Sequence, residues 1–340
     1  MSEKQKIVSL MRPTGKLHFG HYEGVLTNWV NLQNEFDCYW GIADWHALTT
    51  KYDSTENLRN DIIDCVLDWL GAGIDPEKST LYVQSLIPEI SVLHLLLSMI
   101  TPNNWAERDP TLKDMVKILR DKGAENSDIS LSYGLLGYPI LMSADILIFN
   151  APFVPVGIDQ VAHIEITRDI ARRFNHIYKT DFFNEPKPKL TKIPLLLGTD
   201  GQKMGKSFQN DIKISDDEET TTKKIMRAMT DSSRLRRDDK GNPDNCAVVY
   251  KYYETFADEQ TAQCVCAECK NAQRGCADCK RQIAAIINKK FEPIRQRRNE
   301  YAADIPKVKE ILHEGSAKAR KEAQNVLQQV NEIMGMYVCQ

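Results

Sequence analysis

No long apolar run occurs in these 340 residues. The longest mostly apolar stretch, Ile90 to Ile100, carries His94 and falls short of the ~20 residues a membrane-spanning helix needs. The first residues, Met1 to Lys6, are polar and charged, and no apolar segment follows, which argues against a secretory signal. A cytoplasmic protein with no membrane association is expected. Charge of one sign is also lacking. The net charge is -3, so the molecule as a whole is no obvious nucleic-acid binder, and any polyanion must meet a local basic surface. No internal repeat is visible. A disulfide scaffold is unnecessary, because a chain this long buries enough surface for its own core. Cysteine, by contrast, is abundant: there are nine, which in a reducing compartment points to metal or cluster ligation or to free thiols.

The apolar patterning alternates strands and helices. Lys6 to Met11 reads as a strand ending at Pro13 and Gly15, followed by a helix over His21 to Gln33. Cys38 to Ala43 and Thr80 to Val83 read as further strands. Between them a helix carries Ile62, Ile63, Val66, Leu67 and Leu70, with a capping-box pattern at Asp53 and Glu56 and stops at Gly71 and Gly73. A helical run over Ile140 to Phe149, a short strand at Phe153 to Val156 and an amphipathic helix from about Asp159 to Tyr178 come next. Pro186, Pro188 and Pro194 suggest a linker. Beyond Ser215 the pattern is mostly helical. This order predicts an α/β fold with a Rossmann-like parallel sheet, followed by an α-helical domain with a cysteine-rich insert. The expected divisions are 1–190 for the sheet domain, 191–214 for a loop and linker, and 215–340 for the helical domain.

Two stretches are suited to phosphates. In Pro13-Thr14-Gly15-Lys16-Leu17-His18-Phe19-Gly20-His21, a strand runs into a helix whose N-terminus offers unpaired N–H groups, with His18 and His21 as further donors. In Lys203-Met204-Gly205-Lys206-Ser207, a glycine-containing loop carries two lysines able to face a pyrophosphate. Gly205-Lys206-Ser207 mimics the end of a P-loop, but that motif requires glycine where Asp200 stands, and Phe208 to Asp211 is a poor helix start. Gly71-Ala72-Gly73 fails as a dinucleotide fingerprint because Pro76 occupies the third glycine position.

HxGH and KMxKS, in that order and about 180 residues apart, resemble the paired motifs of class I aminoacyl-tRNA synthetases. The segments Met11 to His18, Ala43 to Thr50, Tyr138 to Leu147 and Val154 to Glu165 narrow the resemblance to the tryptophanyl-tRNA synthetase family, over nearly the whole chain. The resemblance implies a two-step enzyme that activates L-tryptophan with ATP and Mg²⁺ and loads it onto tRNA(Trp), working as a homodimer. It makes His18, His21, Lys203 and Lys206 catalytic. It assigns ATP to Arg12, Gly20, Lys113, Gly157, Asp159, Met204 and Ser207 together with the two lysines. Asp145 becomes the acceptor for the indole N–H, a group that can only donate. Tyr138 and Gln160 hold the substrate ammonium, and Met142, Val154 and Val156 form apolar walls. Gly205 stands where serine is usual, and Ile158 where glutamate is usual. The fold-sharing tyrosyl enzymes, and an RNA-binding or redox-sensing relative that no longer charges tRNA, are the competing readings.

Cys246, Cys264, Cys266, Cys269, Cys276 and Cys279 crowd one insert. Cys266-x2-Cys269-x6-Cys276-x2-Cys279 suggests zinc. Cys246-x22-Cys269-x6-Cys276-x2-Cys279 instead resembles the bacterial tryptophanyl enzymes that carry a [4Fe-4S] cluster. The second set, with a [4Fe-4S] cluster, is the expected one on spacing and resemblance, with zinc as the alternative. The helical domain is expected to bind the anticodon, with Lys289, Lys290, Arg295, Arg297 and Arg298 available to phosphates or simply lining a solvated face.

Overall fold

A computed structural model of the chain describes residues 4–107, 132–157, 160–190 and 196–337. Five parallel strands form one sheet: β1 (Lys6–Met11), β2 (Asp37–Ile42), β3 (Ser79–Val83), β4 (Phe153–Val156) and β5 (Lys187–Leu190), in the order β3-β2-β1-β4-β5. The helices are α1 (Phe19–His21), α2 (Thr27–Leu32), α3 (Asp44–Lys51), α4 (Leu58–Ala72), α5 (Pro88–Ile100), α6 (Asn103–Ala106), α7 (Tyr133–Leu147) and α8 (Val161–Tyr178). After the sheet come α9 (Glu218–Arg227), α10 (Val249–Phe256), α11 (Glu259–Lys270), α12 (Cys276–Ala302) and α13 (Ile305–Ile333).

Side chains alternate across the strands, so β1 to β4 feed two cores, while the edge strand β5 stays largely exposed. Cys38, Trp40, Ile42, Leu81 and Val83 join one core with α2, α4, α10 and α12. Val8, Tyr39, Tyr82 and Val154 join the other with α5, α7, α8 and α13. Both faces of the sheet are covered, which is why β2 and β3 read as near-continuous apolar runs. The order reverses at β1, whose neighbours are β2 and β4, and such a switch point opens a crevice at the strands' carboxyl ends.

Three sequence expectations need correction. The proline-bearing segment expected to be a linker forms β5, in which Pro188 pairs with Val154. Proline is tolerated there because β5 is an edge strand. The helix after β1 is interrupted by a π-helical turn at Tyr22–Leu26, invisible to a 3.6-residue periodicity. The capping box at Asp53 and Glu56 is not used, since α4 begins at Leu58 with Asn57 as its N-cap. The last helix returns to the sheet and covers the edge at β3. There the Ser316 Oγ accepts the Val83 N–H at 3.1 Å. A Cβ on Gly315 would stand 1.9 Å from the Leu81 carbonyl oxygen, so only glycine allows that approach. Among the described residues no helix is long and apolar enough to cross a membrane.

Candidate active site

A cavity of about 390 Å³ opens at the switch point. The end of β1 contributes Met11 and Arg12, and the end of β4 contributes Val154, Val156 and Gly157. The helices α7 and α8 and the residue before α8 add Tyr138, Met142, Asp145, Gln160 and His163, while α1 adds His21. All six side chains expected to receive the apolar amino acid therefore line one cavity.

Asp145 is 1% exposed, and a buried carboxylate is costly unless paired. Its Oδ2 lies 2.8 Å from His46 Nε2, and its Oδ1 accepts from Gln84 Nε2 at 2.7 Å. A carboxylate has about four lone-pair sites, so these partners orient Asp145 and leave capacity for another donor. Beside it, the Tyr138 hydroxyl meets His163 Nε2 at 3.2 Å, and His163 Nδ1 meets Gln160 Oε1 at 2.8 Å. His46, Gln84 and His163 were not singled out from the sequence. His46 lies in a family-like segment, but its pairing with a residue 99 positions away is tertiary information. Arg12 donates to the Thr50 Oγ1 at 2.6 Å, and burial lowers its pKa.

Of the two histidines of the first turn, His21 lines the cavity and His18 does not, and their rings lie 3.8 Å apart. Burial pushes His18 down to about 4, opposed by Asp211 and assisted by Lys206. Burial with the neighbouring His18 and Lys206 takes His21 down to about 3. Both are thus neutral near pH 7 and act as hydrogen-bonding groups, not cations. A Cβ on Gly20 would stand 3.0 Å from the His18 ring, so the glycine accommodates that ring.

The lysine loop folds onto this turn. Lys206 Nζ donates to the Thr14 carbonyl oxygen, and burial lowers its pKa. The loop is closed by Asn210, whose Nδ2 donates to Asp200 Oδ1 at 2.7 Å and whose Oδ1 accepts from the Gly205 N–H at 2.9 Å. Met204 is buried, whereas Lys203 is exposed. Gly205 has an extended backbone at φ -170°, which any residue can adopt, so serine is not excluded there by conformation. Lys113, Asp159, Ile158 and the Ser207 side chain lie outside the described residues.

In the helical region, Cys246, Cys269, Cys276 and Cys279 line one small cavity with Asp231, Arg234 and Tyr253. Cys266 and Cys264 are not among its walls; Cys264 is exposed and its thiol faces Glu268. Among the described residues no group of three or more histidine, cysteine or acidic side chains is arranged to hold a single metal ion. A Cβ on Gly241 would stand 2.5 Å from Cys269 Sγ, and the Arg234 Nε is buried without a partner beside the cavity. The basic residues of α12 differ from expectation. Lys290 pairs with Glu23 at 3.0 Å, Arg297 donates to the Gly71 carbonyl at 2.9 Å, and Arg298 pairs with Asp64 and Asp68 at 2.6 Å each. Arg295 is buried against Asn288. Of the five, only Lys289 is exposed.

Known proteins match this chain over nearly its whole length. A family model described as class I tRNA synthetases (W and Y) matches residues 1–292. A tryptophan–tRNA ligase of Thermotoga maritima is 44% identical, over 97% of this chain and 99% of its own length. That of Aquifex aeolicus is 38% identical, over 97% and 100%. The crystal structure of a Campylobacter jejuni tryptophanyl-tRNA synthetase, complexed with ADP and tryptophan, superposes with a TM-score of 0.85 at 34% identity, covering 97% of this chain and 100% of that one.

Proposed function

Since the chain belongs to the class I tRNA synthetases for tryptophan and tyrosine, and is a tryptophan–tRNA ligase, we propose that the cavity at the β1–β4 switch point binds tryptophan with Asp145 as the acceptor of its indole N–H. The observation carrying this reading is the position of Asp145. It is a nearly inaccessible carboxylate, oriented by His46 and Gln84 and facing a cavity with apolar walls from Met142, Val154 and Val156. Tyr138 and Gln160, joined through His163, offer oxygens to the ammonium. A tryptophan analogue with sulfur in place of the indole nitrogen tests the assignment. It fills the same volume and donates nothing, so its kcat/KM for activation falls at least about 10-fold below that of tryptophan. Equal values would remove Asp145 from the role.

In the first step the tryptophan carboxylate oxygen attacks the α-phosphorus of MgATP, and the bond to the bridging pyrophosphate oxygen breaks. In the second a ribose hydroxyl of the tRNA 3′ end attacks the carbonyl, and AMP leaves. Neutral His18 and His21 donate hydrogen bonds to phosphoryl oxygens, and Lys203 and Lys206 take the charge that develops on pyrophosphate. Arg12, Gly20, Lys113, Gly157, Asp159, Met204 and Ser207 complete the nucleotide site in this reading.

The same proposal gives Cys246, Cys269, Cys276 and Cys279 a [4Fe-4S] cluster. Its supports are the cavity these four cysteines share, which Cys264 and Cys266 do not line, and the x22-x6-x2 spacing. Residues 1–190 would be the catalytic unit, 191–214 the lysine loop and linker, and 215–340 the tRNA-binding unit. A homodimer is part of the reading, supported by the exposed apolar stripe Val92, Leu95 and Met99 on α5, and so is a cytoplasmic setting, where thiols stay reduced.

A further inference from the structure

Asp68 sits in the middle of α4, fully buried, between the core residues Leu67 and Trp69. Its Oδ2 accepts the Leu17 N–H at 2.5 Å, and its Oδ1 accepts the Arg298 Nε at 2.6 Å. One carboxylate thereby joins the residue immediately before His18 to helix α12. Nothing in the proposed chemistry uses this group, and a carboxylate in a core is expensive unless paired and hydrogen-bonded, which Leu17 and Arg298 accomplish here.

The surroundings make the joint rigid. The Arg298 Nη2 also reaches Asp64 Oδ1 at 2.6 Å. A Cβ on Gly71 would lie 2.9 Å from Arg298 Cβ and 3.0 Å from the Ile294 carbonyl, so α4 and α12 meet without an intervening side chain. On its other side the turn is held by backbone: the Leu17 carbonyl accepts the Ile214 N–H, and the Phe19 N–H donates to the Ile212 carbonyl, both at 3.0 Å. Those partners follow the lysine loop directly. The HxGH turn is thus clamped between α4 and the exit of the lysine loop, with α12 behind the clamp.

We propose that Asp68 is a positioning residue for the phosphate turn, fixing His18 and His21 through the Leu17 amide and coupling their placement to α12 through Arg298. The proposal rests on the reading that the turn holds ATP phosphates and that the region containing α12 meets tRNA. Burial raises the Asp68 pKa to about 6, against the pull of Arg298 and the Leu17 N–H, so the group is a carboxylate at neutral pH and can hold both donors. In Asp68→Asn an amide replaces one acceptor oxygen and sets N–H against either Leu17 or Arg298.

The test uses the full chain with Asp68→Asn, Arg298→Gln and both together. Tryptophan-dependent pyrophosphate exchange is expected to lose about 10- to 100-fold in kcat in each single variant, as a slightly misplaced turn would. The KM for tryptophan is expected to stay within about twofold, and the double variant to be no worse than the worse single one, since one joint is broken in all three. Unchanged kcat, or additive losses, would overturn the proposal. Amide exchange at Leu17 in the unaltered protein decides the matter without any variant: addition of tRNA is expected to change its rate, and an unchanged rate contradicts coupling. His18→Ala separates the layers. If it keeps full exchange, the phosphate reading has failed; if it loses exchange while Asp68→Asn does not, only the positioning role has.

Discussion

His46 Nε2 stands 2.8 Å from Asp145 Oδ2, and both side chains are buried at the floor of the central cavity. With Gln84 on the other oxygen, the carboxylate is fixed before any substrate arrives. Fixed acceptors discriminate strongly, because an amino acid that cannot donate leaves them unpaired. Asp145→Asn is therefore expected to lower kcat/KM for tryptophan about 100-fold, roughly 3 kcal/mol of lost complementarity, with His46→Ala costing less. Steady-state exchange kinetics measure this, and a loss under about threefold for Asp145→Asn would contradict it.

Lys206 is bound to the Thr14 carbonyl across 192 residues of sequence, so the lysine loop is already docked on the first turn. Lys206→Ala is expected to lower the exchange kcat about 100-fold, the order seen when one fixed electrostatic donor is lost. Because the side chain is only partly buried, the thermal midpoint should move little. A fall in midpoint that tracks the fall in activity would make the lysine structural.

The depressed imidazoles predict a pH dependence of stability. In the folded chain His18 and His21 titrate at about 4 and about 3, against 6.5 for an ordinary histidine. Between pH ~6.5 and ~4 the unfolded chain takes up protons that the folded chain refuses, so stability is intact above this window and falls as pH drops through it. Thermal midpoints from pH 7.5 to 4.5 should fall more steeply for the natural chain than for His18→Asn/His21→Asn. Parallel slopes would show that the two rings are not the source.

Gly315→Ala places a methyl group inside contact distance of the Leu81 backbone, which cannot yield as a flexible side chain could. The substitution is expected to cost about 2 kcal/mol and several degrees of thermal midpoint. An unchanged midpoint would mean that α13 can move off β3.

Cys279→Ser is expected to lower iron content and stability and to raise the KM for tRNA, while tryptophan activation without tRNA persists. Iron analysis of anaerobically purified protein with both kinetic assays checks this. Loss of activation in a folded variant that still binds tRNA would reject a structural role for the cysteine site.

Much of the sheet was legible in the sequence because its strands are covered on both faces and read as apolar runs; β1 and β4 fall on the expected residues. β5 was not, because its prolines speak locally for a linker and only the pairing with β4 makes it a strand. The turn bearing His18 and His21 and the loop bearing Lys203 and Lys206 were legible as short patterns, and the residues lining the central cavity as residues shared with a family. The partners His46, Gln84 and His163 were not, since nothing local marks them as neighbours of Asp145 or Tyr138. The basic face of α12 shows the same limit from the other side. Lys290, Arg297 and Arg298 look like groups waiting for phosphate until the fold supplies Glu23, the Gly71 carbonyl, Asp64 and Asp68.

The central claim is that the cavity takes tryptophan because of the buried acceptor at its floor. Amino-acid-dependent ATP–pyrophosphate exchange on anaerobically purified protein, with tryptophan, tyrosine and phenylalanine compared side by side, tests it most directly. The account predicts exchange with tryptophan alone; exchange driven by tyrosine would contradict the assignment of Asp145 and of the pocket built around it.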